Sequence, residues 1–580
     1  MINKINTLSQ NTRLIVACAI SAVIILLWDQ FILGPIQAEQ EAEKVAGSTQ
    51  EVKAPQIKAE EYTFTDRETV IGKTLKSHER IHFENNLVKG SISLQGARID
   101  DLLLKKYNTT ADKSSENEVL FSPGHTRQAY FAEFGWVKAG EENLTVPDNK
   151  TMWQADKDGL KAGETLNLSW VNPQGVKFVI TISLDENYMF DIKQRIENKS
   201  GVAVSVSPYA LISRLHDEVE ASNLVVHQGA IGVLGGKLKE VSYSDLVEEN
   251  KQEYKDKTEW FGFSDKYWLA AIIPGAAKID HVKFTHAPFH NHNHYQTSMI
   301  GSPETIQAND SSQVEFRLFA GAKELNLLDD YEKKFNIKLF DRAVDFGILY
   351  FITRPILILL HYFYTYLGNF GAAILLLTVF IKLLLFPLAH KGYKGMNRLK
   401  DLQPKMAALK EKFADNPSGF QQALIELYRK EKVNPMSGCL PIILQIPVFF
   451  ALYKVLYVSI EMRHAPFFGW IKDLSAPDPT SIFNLFGLIP IDLPNFLMVG
   501  FFPLLMAVTM YLQQKLNPEP TDPTQALVMK LMPWVLLFMF ASFPSGLVIY
   551  WAWSNILSIM QQLFIRKLEG GSRKVRTKSS

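Results

Sequence analysis

Cysteine is nearly absent from this chain: two residues, Cys18 and Cys439, among 580. That excludes a disulfide framework, and both fall in apolar stretches where a small buried side chain is the simplest reading. Charge of one sign is missing too. The 61 lysines and arginines meet 60 aspartates and glutamates, for a net of +1, so bulk charge gives no reason to expect nucleic acid. No glycine-rich phosphate loop is present, which argues against nucleotide-driven work. His281, His286, His290, His292 and His294 crowd a turn-rich stretch. They lack helical spacing and paired cysteines, so a solvated loop is expected rather than a zinc site. No catalytic motif stands out, and no metal, cofactor or enzyme activity is expected.

What the chain does have is unevenly spread. An apolar run, Leu14–Trp28, follows Lys4 and Arg13 and precedes Glu39, Glu41 and Glu43. Positive charge ahead of such a run keeps its start in the cytoplasm. No small-x-small cleavage site follows, so residues 1–36 read as an uncleaved signal anchor. Residues 37–60 are polar and read as a flexible linker. From 61 to 330 the period is two. Val176, Phe178, Ile180, Ile182 and Leu184 alternate with polar residues after the turn Asn172-Pro173-Gln174-Gly175. Leu166, Leu168 and Trp170 precede them, and Tyr188, Phe190, Ile192, Ile196, then Val202, Val204 and Val206 follow. The expectation is an antiparallel meander within a large, exported β-sandwich.

The second half is membrane-like. Residues 331–368 mix charge with aromatic and aliphatic groups around Pro355 and read as an amphipathic helix at the outer interface. Residues 369–388 read as a span, since about 20 apolar residues cross a core about 30 Å thick. Residues 389–433 are basic, with a 3-4 seam at Leu399, Leu402, Met406, Leu409 and Phe413, and Asn416-Pro417 opening a second helix. That predicts a cytoplasmic helical hairpin, kinked or split at Pro404. Residues 434–565 hold four more apolar segments, and 566–580 form a basic tail. The fold class is therefore a polytopic α-helical membrane protein with six transmembrane helices and a large periplasmic antiparallel β-sandwich. Both termini are expected in the cytoplasm.

One cation interrupts this pattern. Lys382 lies within GAAILLLTVFIKLLLFPL, Gly371–Leu388. Burying a lone charge there costs about 2.5–3.5 kcal/mol on insertion scales. Either its stem carries the ammonium toward the headgroups, or it faces polar groups inside a bundle. The expected orientations place Gln445, Gln513, Gln514, Ser554, Asn555, Gln561 and Gln562 in the inner half or middle of their helices. Read one by one, the glutamines are equally well interface residues. Together with Lys382 they describe a wetted groove open to the cytoplasm and closed outside. Such a groove suits an insertase, or an ion-coupled solute transporter with a periplasmic binding domain. A transporter is expected to show structural repeats, and none runs across the last five spans.

Four long segments carry a family resemblance: LQPKM (Leu402–Met406), YRKEKVNPMSGCLPIILQIPVFFALY (Tyr428–Tyr453), HAPFFGWIKDLSAPDP (His464–Pro479) and FPSGLVIYWAWSNILSIMQQ (Phe543–Gln562). The chain resembles the YidC membrane-protein insertases in their long bacterial form, from the anchor through the last helix. The resemblance implies a bacterial inner-membrane insertase and chaperone with a five-helix core. Implied partners are nascent membrane proteins, the Sec translocon (SecYEG and SecDF), the ribosome, the signal recognition particle pathway and membrane lipid. It makes Lys382 the groove cation, where family members often carry arginine. It places Thr378, Ile446 and Phe449 at client-contacting positions, with Trp551, beside Tyr550, where a client-contacting tyrosine can stand. The stretch Ser481–Phe496 is longer than in familiar members and has no assigned role.

Overall fold

The computed structural model describes residues 64–140, 143–216, 226–347, 349–413, 416–433, 440–487, 489, 498–517 and 523–578. The expected anchor, the linker, both cysteines and most of the later part of Ser481–Phe496 lie outside them.

The β half is built from two sheets. One, of eleven strands, runs from Lys251–Tyr254 through Ile279–Phe289, His292–Gly301, Val204–Leu215, Tyr130–Lys138, Arg98–Asn108, Val88–Ser93 and Arg80–Glu84 to Gly159–Lys161, with Glu304–Ile306 and Asn117–Phe121 pairing beside this path. The other, of nine, runs from Lys237–Ser242 through Gly229–Leu234, Thr258–Ser264, Trp268–Pro274, Ser311–Ala322, Met189–Asn198, Val176–Leu184 and Thr165–Val171 to Gln154–Ala155. Rings from the two sheets interleave: Phe83 meets Phe190 at 5.3 Å and Trp136 meets Phe178 at 5.1 Å. Gln194, buried between Ile192 and Ile196, donates to the Gly135 carbonyl of the opposite sheet at 2.7 Å.

The alternation at Val176–Leu184 does mark a strand with one core face, paired in register with Met189–Asn198 (Phe178 opposite Ile196, Ile182 opposite Ile192). The expected meander ends there. Val204–Leu215 crosses to the larger sheet, and Ser311–Ala322 takes the place beside Met189–Asn198. Period two says which face of a strand is buried but not which sheet it joins.

The helices are α1 (Arg67–Lys76), α2 (Tyr243–Glu249), α3 (Leu325–Phe335), α4 (Tyr350–Leu367), α5 (Phe370–Leu384), α6 (Phe386–Lys412), α7 (Pro417–Lys430), α8 (Leu440–Val458), α9 (Phe501–Leu516), α10 (Pro523–Phe540) and α11 (Ser545–Lys578). Where one interface helix over 331–368 is expected, there are two. Asn336 ends α3 in the left-handed conformation, and Leu339 takes φ 55°. A single 3₁₀ turn, Phe340–Ala343, then leads toward α4. Gly368, at φ 63°, closes α4 by bonding back to Tyr364, and the Asn369 side chain caps α5 on the Ala372 N–H at 3.0 Å.

Beyond Lys382 the chain bends by 69° between α5 and α6, with Pro387 in the first turn of the new helix. α5 is thus 15 residues, shorter than a straight crossing needs. Among the described residues no single helix is long and apolar enough to cross a membrane, although α5 and α6 pass together as a bent pair. Polar groups explain part of this: α11 is long but carries Ser554, Asn555, Ser558, Gln561 and Gln562 through its middle. Pro404 lies inside a continuous α6 and does not split it. α7 starts at Asn416-Pro417 and folds back on α6, with Lys405 on Glu431 at 2.5 Å and Tyr428 beside Met406.

Candidate functional site

Lys382 sits in the last turn of α5, where the helix dipole favours a cation. The residue is half-buried, and Leu383 and Leu384 after it are exposed. The ammonium donates to Gln445 Oε1 of α8 at 3.1 Å and to Ser558 Oγ of α11 at 2.8 Å. The Gln445 amide donates in turn to the Tyr550 hydroxyl, and Ser558 donates to the Ser554 carbonyl at 2.8 Å. Gln561 closes the set by donating to the Lys382 carbonyl at 3.2 Å. Hydrogen bonds therefore join α5, α8 and α11 around one cation. No carboxylate pairs with Lys382 among the described residues.

The polar residues expected to share this groove divide into two sets. Ser554 and Gln561 lie with Lys382. Asn555 instead reaches Thr509 of α9 at 3.3 Å, and Gln562 reaches the Leu516 carbonyl at 3.3 Å. Both are buried and fasten α11 to α9. The helix period separates them, because neighbouring positions point to different sides. Gln513 joins none of these hydrogen bonds. Thr378, one turn before Lys382, is buried, and its hydroxyl bonds to the Ile374 carbonyl at 2.7 Å.

Beside the cation lies an apolar wall. Trp551 packs edge-on against Phe449 at 4.7 Å and Phe540 at 4.6 Å. Ile446 and Phe450 of α8 stay about half exposed, at 49% and 52%. Tyr550, next to Trp551 in sequence, is buried on Gln445. The arrangement can hold a small anionic group at Lys382 while offering an aromatic and aliphatic surface next to it.

Sequence reasoning missed Ser558, the nearest partner of Lys382. Its spacing from Ser554 and Gln561, by four and three residues, is the signal that would have found it. Trp553, whose indole donates to the Leu375 carbonyl at 3.2 Å, was also missed. The histidines expected to form a loop lie on the hairpin Ile279–Phe289 and His292–Gly301. There His294 bonds Ser213 and His286 bonds Asn293. No group of three or more metal-ligating side chains gathers among the described residues.

Two family models match the chain: the YidC periplasmic domain over residues 80–359 and the 60Kd inner membrane protein over residues 362–571. The membrane protein insertase YidC of Rickettsia bellii is 48% identical over 558 residues, covering 96% of this chain and 99% of its own length. That of Rickettsia akari is 47% identical over 556 residues, covering 96% and 99%. Among solved structures, an active YidC insertase with its first transmembrane domain resolved is similar at 19% identity and a TM-score of 0.35, over 83% of this chain and 92% of that one.

Proposed function

The chain belongs to the YidC family of membrane protein insertases, and from that premise we propose that Lys382 is the working cation of a groove that receives the polar ends of client chains. As a member of the family it is an inner-membrane insertase with a periplasmic domain, acts on nascent membrane proteins, and is not an enzyme. The observation that carries the proposal is the company Lys382 keeps. Half-buried among apolar helices, its ammonium is held, among the described residues, by the neutral oxygens of Gln445 and Ser558. A client carboxylate brings the counter-charge they lack. At an effective dielectric near 20, two unit charges about 4 Å apart attract by about 4 kcal/mol.

A hydrophilic segment drawn to Lys382 has a shorter path left through hydrocarbon. The apolar segment behind it slides along Ile446, Phe449 and Trp551 into lipid, where each buried CH₂ yields about 0.8 kcal/mol. That gain drives insertion without nucleotide. Lysine in place of the family's frequent arginine keeps the charge but not the planar fork, so attraction, not bidentate pairing, is the requirement. In this reading six spans cross the inner membrane, both termini are cytoplasmic, and the groove opens to the cytoplasm. The basic α6–α7 hairpin and tail meet the ribosome or the signal recognition particle pathway. The chain works alone or beside SecYEG and SecDF.

The test is insertion of a single-span client with a short acidic tail into liposomes holding the full chain, read by protease protection of the tail. Lys382→Arg is expected to keep insertion. Lys382→Ala is expected to lose about 10- to 100-fold, the worth of hydrogen bonds to a charged group. Equal insertion by Lys382→Ala and the unaltered chain would remove the cation from the mechanism.

A further inference from the structure

α8 carries a second lysine, Lys454, nine positions beyond Gln445. At about 3.6 residues per turn that is two and a half turns, so the two side chains leave opposite faces of the helix. Lys454 donates to Asp345 Oδ2 at 2.9 Å, and the pair is largely shielded, at 15% and 16% exposure. Asp345 belongs to the segment joining the β-sandwich to α4. It also accepts the His227 N–H at 2.8 Å and the Gly347 N–H at 3.0 Å. Burial raises the Asp345 carboxyl, but the Lys454 ammonium and these hydrogen bonds bring it below its ordinary range.

Further contacts converge on the same end of α8. The Lys266 ammonium of the sandwich lies over the Tyr457 ring at 3.8 Å. Arg463, just past the helix, pairs with Glu118 at 3.0 Å and lies over the Trp268 ring at 5.4 Å. The outer end of α8 is thus pinned to two separate parts of the sandwich, at Lys266 with Trp268 and at Glu118, and to the segment that leads to α4. Its inner end is held by Gln445, and Pro447, between the two, removes one helix hydrogen bond.

We propose that the Lys454–Asp345 pair is a positioning contact for insertion, by which the periplasmic domain fixes α8 so that Gln445, Ile446 and Phe449 meet the client at a set depth. This rests on the groove reading above. Neither Lys454 nor Asp345 touches the client; both act through α8. When a client carboxylate replaces Gln445 at Lys382, the inner end of α8 loses its bond to α5 and keeps that to Tyr550, while the outer end stays anchored.

The experiment places a photo-crosslinking amino acid at Phe449 in the full chain in liposomes, with the acidic-tailed client. Insertion and the client position captured are read together for Lys454→Met, Asp345→Asn, Lys454→Arg and the exchange Lys454→Asp with Asp345→Lys. The single losses are expected to lower insertion about 2- to 30-fold and to shift the captured position along the client. Lys454→Arg is expected to restore both, as is the exchange where it folds. Unchanged insertion in the single variants overturns the proposal. So does lost insertion with an unshifted crosslink that Lys454→Arg does not restore, because that marks a merely structural pair. Lys382→Ala in the same assay judges the groove separately: if it inserts normally, the groove reading fails whatever the pair does.

Discussion

The arginines of the β-sandwich and the lysine at the end of α5 are held in opposite ways. In the β-sandwich, Arg80, Arg98 and Arg214 have carboxylate partners, while Lys323, 2% exposed, donates to the Ser264 hydroxyl at 3.0 Å. Arg80, 2% exposed at its side chain, pairs with Asp100 and donates to Ser91 at 2.9 Å. Arg98 meets Glu133 at 2.6 Å, with the Tyr209 hydroxyl on the other carboxylate oxygen, and Arg214 meets Asp265 at 2.6 Å. Among the helices, Lys382 is held by neutral groups alone among the described residues. Paired charges in the sandwich lock one arrangement. The cation at α5 keeps an unanswered charge, which a receptor for acidic segments requires. Lys454 sits between these cases: on an apolar helix, but answered by Asp345 from the sandwich side.

The largest effect expected from this contrast is on stability. Arg80→Met strands Asp100, whose carboxyl burial already pushes upward, and is expected to cost about 3–5 kcal/mol. Lys382→Met strands no carboxylate. Gln445 keeps Tyr550 and Ser558 keeps the Ser554 carbonyl, so stability should hold within about 1 kcal/mol. Thermal unfolding of the full chain in detergent checks both. Equal losses would erase the distinction between a structural and a receptive cation.

A smaller effect separates the halves by pH. Burial lowers His294, which bonds Ser213, and His227 to about 4. Both must therefore stay neutral in the folded sandwich while they protonate near 6.5 in the unfolded chain. The unfolded state binds more protons between those values, so stability is full above pH 6.5 and falls as pH drops toward 4. A loss on the order of 1–3 kcal/mol is expected, with a shallower slope in His294→Gln. A flat profile over that range would contradict the assigned burial.

Much of this was legible in the sequence where one physical cost dominates. Val176–Leu184 shows its core face because a half-buried strand must alternate. Lys382 stands out because a cation within an apolar run is expensive. Ser558 did not, because a serine on a helix costs little and bonds to its own backbone. The crossing of Val204–Leu215 to the other sheet depends on long-range pairing that no local pattern encodes. Pro387 was in view, yet the run Gly371–Leu388 reads as one span because its apolar character continues through the bend. Lys454 carries no local mark of its partner, because Asp345 lies 109 positions away.

The most direct test of the unanswered charge is to vary the client as well as the cation. Insertion of acidic-tailed and basic-tailed versions of one single-span client is compared in liposomes containing the unaltered chain, Lys382→Gln or Lys382→Glu. The account expects a preference for the acidic tail in the unaltered chain, its loss in Lys382→Gln and its reversal in Lys382→Glu. An acidic-tail preference that survives in all three would contradict it and assign the preference to another part of the chain.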